Sequence, residues 1–310
     1  MIELNINLEG SLSAETCFDF YRDQSCLLPC KDEKEMKGLL SITKPFSDEV
    51  TIENSLYKMT LPVLQQNQAI ERAAYELVTK LAKQGTSYAE IALAPIRFTH
   101  QTLSQLAVVE AVISGVSRAR MDLKGQIQVN LVLGLVRGEK ESNNLETVEV
   151  ANRLKGTIVN GLILEGEENT PVSKYQKVLN QAYKLNIPFS VATNKLQDTK
   201  DAITLGAKRI IGGLACTEDE EVIKMIKDKN VLIVTSLLQL FYTGKLKRLI
   251  DHPLPLMKKN GLKVVLSSSD PALFDSNINR EYTLARDLFF ISYKDCMDME
   301  KLAFEEKLMK

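Results

Sequence analysis

The residues of this chain best suited to chemistry are Asp270, which precedes a proline, and Lys195, which follows a β-rich run. A carboxylate and an amine of this kind are the minimum for metal-independent catalysis, provided that burial lowers the pKa of the lysine. Asn5 and Asn7 are spaced two apart, so on a strand they point to the same side, where they can hydrogen-bond each other, Ser269 or a ligand. The residues predict either a ligand pocket or a satisfied internal polar network.

Other catalytic patterns are missing from the sequence. It has no G-x-x-x-x-G-K-[ST], no G-x-S-x-G and no H-E-x-x-H, and no G-x-G-x-x-G follows a strand. Serines 267–269 and Cys216 have no evident histidine base, since the two histidines, His100 and His252, fall in loop-like segments. We therefore expect no serine or cysteine nucleophile, and we expect both histidines to lie away from the strand ends.

The elements that position these residues alternate between strand and helix patterns. The predicted strands are Ile2 to Leu8, Ser87 to Ala94, Ile127 to Leu135, Thr157 to Glu165, Pro188 to Asn194, Arg209 to Ala215, Val231 to Ser236 and Leu262 to Ser268. Apolar residues at helical spacing lie between most of them, as in Ala69 to Lys83, Leu103 to Met121, Val172 to Leu185 and Glu218 to Lys227. Eight such repeats predict an α/β fold, a (β/α)8 TIM barrel, with ligands bound where the loops after the strands converge.

Nearly eighty residues separate the first two strands, which is too many for one crossover and predicts extra helices packed over a barrel mouth. No Pro/Gly-rich linker or low-complexity tract divides the chain, so residues 1–310 are predicted to form a single domain.

Composition limits the partners. The 39 basic and 40 acidic residues give a net charge of -1, which favours a neutral or small ligand and gives no reason to expect nucleic acid or an anionic membrane. The five cysteines contain no C-x-x-C pair and are expected to be reduced thiols. With no signal-peptide pattern and no stretch of eighteen apolar residues, we expect a cytoplasmic protein that does not span a membrane.

Several strand-end motifs resemble those of one enzyme family in their order along the chain. They are Leu4-Asn-Ile-Asn-Leu-Glu-Gly-Ser-Leu, Asn144-Leu-Glu-Thr-Val-Glu-Val-Ala, Glu165-Gly166, Leu205-Gly-Ala-Lys-Arg-Ile, Tyr242-Thr-Gly and Ser269-Asp-Pro-Ala. The sequence is similar to the adenosine deaminase family, whose members are metal-dependent barrels of the amidohydrolase type. The resemblance covers nearly the whole chain and implies the same barrel.

The resemblance also implies a zinc site that this chain does not match. The family holds zinc through two histidines of the first strand, a histidine ending the fifth and an aspartate ending the eighth, and the metal lowers the pKa of bound water. The matching residues here are Asn5, Asn7, Ala192 and Ser269. Amide and hydroxyl oxygens are poor zinc ligands and alanine offers none, so we expect no metal and no cofactor.

The family's acid–base groups are replaced as well. Lys195 stands where the family has a proton-transferring glutamate, and Gly212 where it has a histidine of the sixth strand. Ala92 occupies the family's arginine position on the second strand. Asp270, the second aspartate of the family's D-D-P, is retained and either contacts a ligand or caps the following turn.

The remaining matches have two interpretations each. Gly166 matches a glycine that approaches the purine, or it meets a backbone requirement. Glu9 and Gly10 match an acidic-glycine pair that is interpreted mainly as structural. Lys195 is predicted either to enter the vacated metal site and pair with Asp270 or Glu9, or to be a solvated lysine at a loop.

Three functional hypotheses follow. The first is a catalytically inactive, zinc-free relative that binds a small molecule such as a purine nucleoside through Asn5, Asn7, Gly166, Lys195, Ser269 and Asp270. The second is a structural or regulatory subunit with a closed pocket, acting as a homo-oligomer or on an active homologue, which an exposed apolar stripe on a barrel helix would favour. The third is an enzyme with altered, metal-independent chemistry, with Lys195 and Asp270 as its candidate catalytic residues.

Overall fold

The computed structural model of the chain describes residues 1–24, 26–46 and 57–308. Its eight strands form one sheet in sequence order, and every neighbouring pair is parallel. The strands are β1 Ile2–Asn7, β2 Tyr88–Leu93, β3 Gln128–Val136, β4 Val159–Glu165, β5 Phe189–Thr193, β6 Arg209–Gly212, β7 Leu232–Thr235 and β8 Val264–Leu266. The predicted (β/α)8 barrel is confirmed.

Helices surround this sheet. They are α1 Ala14–Asp23, α2 Glu33–Leu40, α3 Asn67–Lys83, α4 Gln105–Asp122, α5 Glu141–Arg153, α6 Gln176–Lys184, α7 Leu196–Thr204, α8 Glu220–Asp228, α9 Leu237–Tyr242, α10 Leu254–Lys259, α11 Ile278–Phe289 and α12 Tyr293–Glu305. The extra helices predicted between the first two strands are α1 and α2, and residues 47–56 of this insertion lie outside the described residues. None of the described helices is long and apolar enough to cross a membrane.

The two faces of each strand bury different sets of apolar residues, because side chains alternate along a strand. Outward-facing residues such as Ile91, Leu133 and Val191 join the large core between strands and helices. Inward-facing residues such as Leu4 and Val132 form a smaller core inside the barrel. The interior of the barrel is therefore packed with side chains.

β8 and β1 meet through contacts of the segment that follows β8. The backbone N–H of Asn7 donates to the carbonyl of Ser269 over 2.7 Å, and Ser267 Oγ donates to the carbonyl of Asn5 over 2.9 Å. The Ser268 amide and hydroxyl both donate to the buried carboxylate of Glu3. These bonds hold the ends of the first and last strands together at the mouth of the barrel.

A bulge in β1 determines which of its side chains enter the mouth. The register with β2 shifts between Glu3 and Ile6, and Asn5 within the shift has φ +62°, a left-handed conformation that asparagine tolerates better than most residues. Leu4 faces the inner core below the bulge, whereas Asn5 and Asn7 line the cavity above it. The bulge thus lets the sequence neighbours Leu4 and Asn5 both face the barrel interior, and Asn7 points to the same side as Asn5.

At the opposite end, the C-terminal tail closes the base of the barrel. The guanidinium of Arg209 donates to both oxygens of Glu90, and the Tyr88 hydroxyl and the Leu308 amide also donate to this carboxylate, each over 2.8 Å. Arg209 further donates to the carbonyl of Glu306. We call Tyr88, Glu90, Arg209 and the tail segment 306–308 the base network.

The sixth predicted strand is too long. β6 ends at Gly212 rather than at residue 215, because Gly213 adopts a left-handed conformation and a 3-10 helix, Leu214–Thr217, follows. The predicted helix 172–185 is likewise divided into a 3-10 turn, Val172–Tyr175, and α6.

Candidate ligand-binding site

A cavity of about 830 Å³, its open mouth included, lies at the C-terminal ends of the strands. We call it the mouth cavity. Ile163, Ala192, Ile211 and Leu240 supply its apolar lining. Its other lining residues are Asn5, Asn7, Tyr57, Arg97, Glu165, Gly166, Glu168, Thr193, Asn194, Gly212, Gln239, Thr243 and Lys245. This is the position at which the barrel fold places ligands.

Asp270 lies behind the cavity wall as the centre of a polar network. One carboxylate oxygen, Oδ1, accepts from Asn7 Nδ2 at 3.0 Å and from the Tyr57 hydroxyl at 2.5 Å, while Oδ2 accepts from Gln239 Nε2 at 2.9 Å. Ser269 Oγ extends the network by donating to Gln239 Oε1 over 3.1 Å. Asp270 and Ser269 are buried and do not line the mouth cavity, so Asp270 acts on the cavity through Asn7, Tyr57 and Gln239.

Burial raises the pKa of Asp270 to about 6, although the hydrogen bonds from Tyr57 and Asn7 oppose the rise. The same burial, with the negative charge of Asp270 nearby, raises the pKa of Tyr57 well above its ordinary value. Tyr57 therefore remains a neutral hydroxyl donor. Space for the carboxylate depends on Gly10, since a Cβ there would lie 1.9 Å from Asp270 Oδ1.

Two carboxyl groups, those of Glu9 and Glu165, lie beside the guanidinium of Arg97. Arg97 Nη1 lies 2.8 Å from Glu165 Oε1 and 3.3 Å from Glu9 Oε1. Glu9 Oε2 is buried and has no hydrogen-bond partner among the described residues. Burial raises the pKa of Glu9 to about 8; Arg97 opposes the rise and Glu165 adds to it. Glu9 is thus largely protonated at neutral pH.

Glu168, in the loop after β4, links three loops of the mouth. Its carboxylate accepts from the Asn194 amide at 2.9 Å, from Thr193 Oγ1 at 3.2 Å and from Lys245 Nζ at 2.8 Å. Burial alone would raise the pKa of Glu168, but Lys245 and the bonds from Asn194 outweigh it and lower the pKa. This carboxylate therefore stays ionised, and its hydrogen bonds hold the loops together.

Of the two interpretations of Lys195, its pairing with Asp270 or Glu9 is wrong. Lys195 is exposed, and its ammonium donates to the backbone carbonyl of Glu168 over 2.6 Å. The residue caps the N-terminus of α7 with an extended backbone and is not among the residues that line the mouth cavity. Lys195 and Asp270 are therefore not brought together.

Gly212 also differs in its surroundings from a histidine-bearing position. It has φ +92°, and a Cβ there would lie 2.7 Å from Asn194 Oδ1. The Asn194 amide, held by Glu168, occupies the space in which a side chain at position 212 would begin. Gly166 likewise lines the cavity at φ +106°, which supports the backbone interpretation of that glycine without testing its contact with a ligand.

The prediction that both histidines lie away from the strand ends is wrong for His252. Its ring is buried, and it pairs through Nε2 with Oγ1 of Thr235, the last residue of β7, at 2.9 Å. The Leu254 amide donates to Nδ1, so Nε2 carries the proton. Burial lowers the pKa of His252 to about 3. Because the preceding residue, Val234, faces the barrel interior, Thr235 and His252 lie on the outer side of the sheet, away from the mouth cavity.

The residues present do not fit a zinc ion. The positions that match the family's ligands carry two amides, a methyl group and a hydroxyl; Asn7 donates to Asp270, and Ser269 donates to Gln239. Within residues 1–24, 26–46 and 57–308, no three His, Cys, Asp or Glu side chains are grouped so that they could hold a metal ion. Donor chemistry of this kind favours a hydrogen-bonded network over coordination.

Sequence reasoning missed three residues of the mouth. Arg97 follows β2 by four residues, in a 3-10 turn, and supplies a guanidinium close to the strand that carries Ala92 at the family's arginine position. Lys245 directly follows the Tyr242-Thr-Gly motif, so that motif was an available signal. Tyr57 belongs to the long insertion after β1, and nothing in its sequence surroundings indicates that it reaches Asp270.

The fold and the position of the cavity define the class: a (β/α)8 barrel with a cavity at the C-terminal mouth of the described barrel. The profile of the adenosine deaminase family matches residues 1–309. The chain therefore belongs to the adenosine deaminase family.

Two adenosine deaminases illustrate the relationship. That of Enterococcus faecalis is 27% identical over 306 residues, covering 97% of this chain and 90% of the relative. That of Clostridium perfringens is 29% identical over 303 residues, covering 95% and 89%.

Solved structures show the same fold. An adenine deaminase from Arthrobacter aurescens superposes with a TM-score of 0.88 at 21% identity, covering all of this chain and 94% of the other. An N6-mAMP deaminase from Arabidopsis superposes with a TM-score of 0.87 at 19% identity, covering all of this chain and 93% of the other.

Proposed function

We propose that this protein is a zinc-independent member of its family that binds a purine nucleoside or base in the mouth cavity without deaminating it. One observation carries the proposal. The positions expected to hold zinc are Asn5, Asn7, Ala192 and Ser269, and Asn7 and Ser269 are engaged in the hydrogen-bonded network of Asp270. Hydrolysis in this family needs the metal, whereas affinity needs only shape and hydrogen bonds.

The lining of the mouth cavity supports this proposal. Ile163 and Ile211 offer apolar surface for a flat ring, and the Asn5 amide lines the cavity beside them. Asn7 uses Nδ2 for Asp270, which leaves its carbonyl oxygen for a ligand. Apolar surface beside fixed hydrogen-bonding groups is typical of small-molecule sites.

The test is a thermal-shift titration with purine nucleosides and bases, with added zinc and with a chelator, beside an assay for released ammonia. A ligand at about 100 times its Kd stabilises the folded state by about 2.7 kcal/mol, enough to shift the Tm by several degrees. We expect a shift that the chelator does not change and no ammonia release. Ammonia release that the chelator abolishes would overturn the proposal, and so would the absence of a shift with every purine.

A second candidate function, as a regulatory or structural subunit, is favoured by one surface. Tyr293, Met297 and Phe304 recur on one side of α12 at helical spacing, and Phe290 precedes them in the turn; all four are more than half exposed. Sedimentation of the purified chain, alone and with its Met297→Glu variant, tests this function. A concentration-dependent oligomer that dissociates in the Met297→Glu variant would support this second function. A monomer at all concentrations would count against self-association.

The third hypothesis loses its main support, because Lys195 and Asp270 do not meet. Asp270 is enclosed by its three donors, and the ammonium of Lys195 is bonded to a backbone carbonyl.

A further inference from the structure

The charge of the mouth cavity restricts what it can hold. Among the described lining residues, the cations are Arg97 and Lys245, and the carboxylates are Glu165 and Glu168. Each cation is already bonded to a carboxylate: Arg97 to Glu165 at 2.8 Å and Lys245 to Glu168 at 2.8 Å. The lining therefore offers a ligand no excess positive charge.

Glu165 is built into this site. As the last residue of β4 it follows Ile163 by two positions, so it faces the barrel interior with that residue. Room for its carboxylate depends on Gly134 of β3, where a Cβ would lie 2.7 Å from Glu165 Oε1. A larger residue at position 134 would displace the carboxylate, so the two strands together create its position.

One oxygen of Glu165 is left for a ligand. Oε1 accepts from Arg97, whereas no hydrogen bond to Oε2 is made within the described part of the chain. The side chain is 15% exposed and lines the cavity. An ionised carboxylate oxygen accepts N–H or O–H groups of a ligand and repels a second anion.

We propose that Glu165 is a specificity-determining residue that restricts the mouth cavity to uncharged bases or nucleosides and excludes their phosphorylated forms. This inference rests on the proposed function, because it assigns a ligand class to the same site. A phosphate monoester carries about two negative charges at neutral pH. A phosphate placed beside Glu165 would be repelled by its carboxylate, because both lining cations are already paired. Neutral ligands meet no such repulsion.

The test compares adenosine with adenosine 5′-monophosphate by calorimetric titration at low and high salt. We expect the monophosphate to bind at least tenfold more weakly than adenosine to the unaltered protein, and the difference to shrink as salt screens the repulsion. In Glu165→Gln the ratio falls to about threefold or less, because the carboxylate charge is gone while the side-chain size is kept. Glu167→Gln, which removes the same charge two residues away and outside the cavity lining, keeps the tenfold ratio.

The outcomes separate this inference from the function on which it rests. If adenosine binds but the monophosphate binds within threefold of it to the unaltered protein, only the selectivity is overturned. A tenfold ratio that persists in Glu165→Gln also overturns the role of Glu165. The salt series needs no variant, so it tests the charge repulsion even if Glu165→Gln fails to fold. If adenosine, adenine, inosine and the monophosphate all fail to bind, the proposed function falls together with the inference.

Discussion

The two ends of the barrel use the same pairing of arginine with glutamate to different effect. At the base, the Glu90 carboxylate accepts hydrogen bonds from both terminal nitrogens of Arg209, from the Tyr88 hydroxyl and from the Leu308 amide. At the mouth, Arg97 is shared between Glu165 and Glu9, and Glu9 Oε2 has no partner among the described residues. A fully satisfied buried network rigidifies a fold, whereas a partly satisfied one contributes less to its stability. The comparison predicts that the base stabilises the barrel more than the mouth does.

The largest effect is expected at the base. Arg209→Ala removes the cation and leaves Glu90 buried and uncompensated, which costs about 3–5 kcal/mol of unfolding free energy. Urea denaturation measures the loss. The matched control is Lys263→Ala, which breaks the half-exposed pair with Glu306 and costs at most about 1 kcal/mol. Equal losses in the two variants would contradict the distinction between a buried network and a surface pair.

A second prediction concerns the pH dependence that the mouth adds to folding. The pKa of Glu9 is raised from 4.5 to about 8, so the folded state holds a proton that the unfolded chain has released. The stabilisation is complete below about pH 4.5 and is lost as the pH rises through 8. Glu9→Gln removes this term, and its unfolding free energy should fall less between pH 5 and pH 8 than that of the unaltered protein, by on the order of 2 kcal/mol.

The control for this series is Glu167→Gln, which removes a carboxylate outside the cavity lining. Buried Glu3 and Glu281, whose pKa values are both raised to about 7 by burial, add slopes of the same sign in every variant. The profile of Glu9→Gln is therefore flatter but not flat. A profile identical to that of the unaltered protein would show that Glu9 is not protonated in the folded state.

A third prediction concerns the Asp270 network. In Asp270→Asn the side chain keeps its size but can no longer accept bonds on both of its terminal atoms, so Asn7, Tyr57 or Gln239 loses an acceptor. We expect adenosine to bind about tenfold more weakly, which corresponds to about 1.4 kcal/mol. Asp275→Asn, at a largely exposed carboxylate, is the matched control. Unchanged affinity in Asp270→Asn would mean that the retained aspartate only supports the turn that follows it.

The smallest effect is expected for Lys195→Ala. The substitution removes an exposed ammonium that bonds to a backbone carbonyl, and surface changes of this kind stay within about 0.5 kcal/mol. Adenosine affinity should change by less than about twofold. A tenfold or greater loss of adenosine affinity would show that Lys195 contributes to binding, contrary to its position in the structure.

Much of the architecture follows from sequence patterns because those patterns are local. Alternation along a strand and helical spacing of apolar residues are read within ten or fifteen residues, which is why the eight strands are correctly ordered. The end of β6 was misjudged because Gly213 breaks the strand through a left-handed conformation that no neighbouring apolar residue indicates.

The mouth was only partly predictable, since its contacts join residues that are far apart in the chain. The exchange of metal ligands for Asn5, Asn7, Ala192 and Ser269 is visible in the sequence, because residue type alone decides coordination chemistry. Tertiary structure decides three other features of the mouth. Tyr57 reaches Asp270, Arg97 pairs with Glu165, and Lys195 turns away from the mouth. Each depends on how a loop of one repeat passes over the strand end of another, and no local pattern encodes that path.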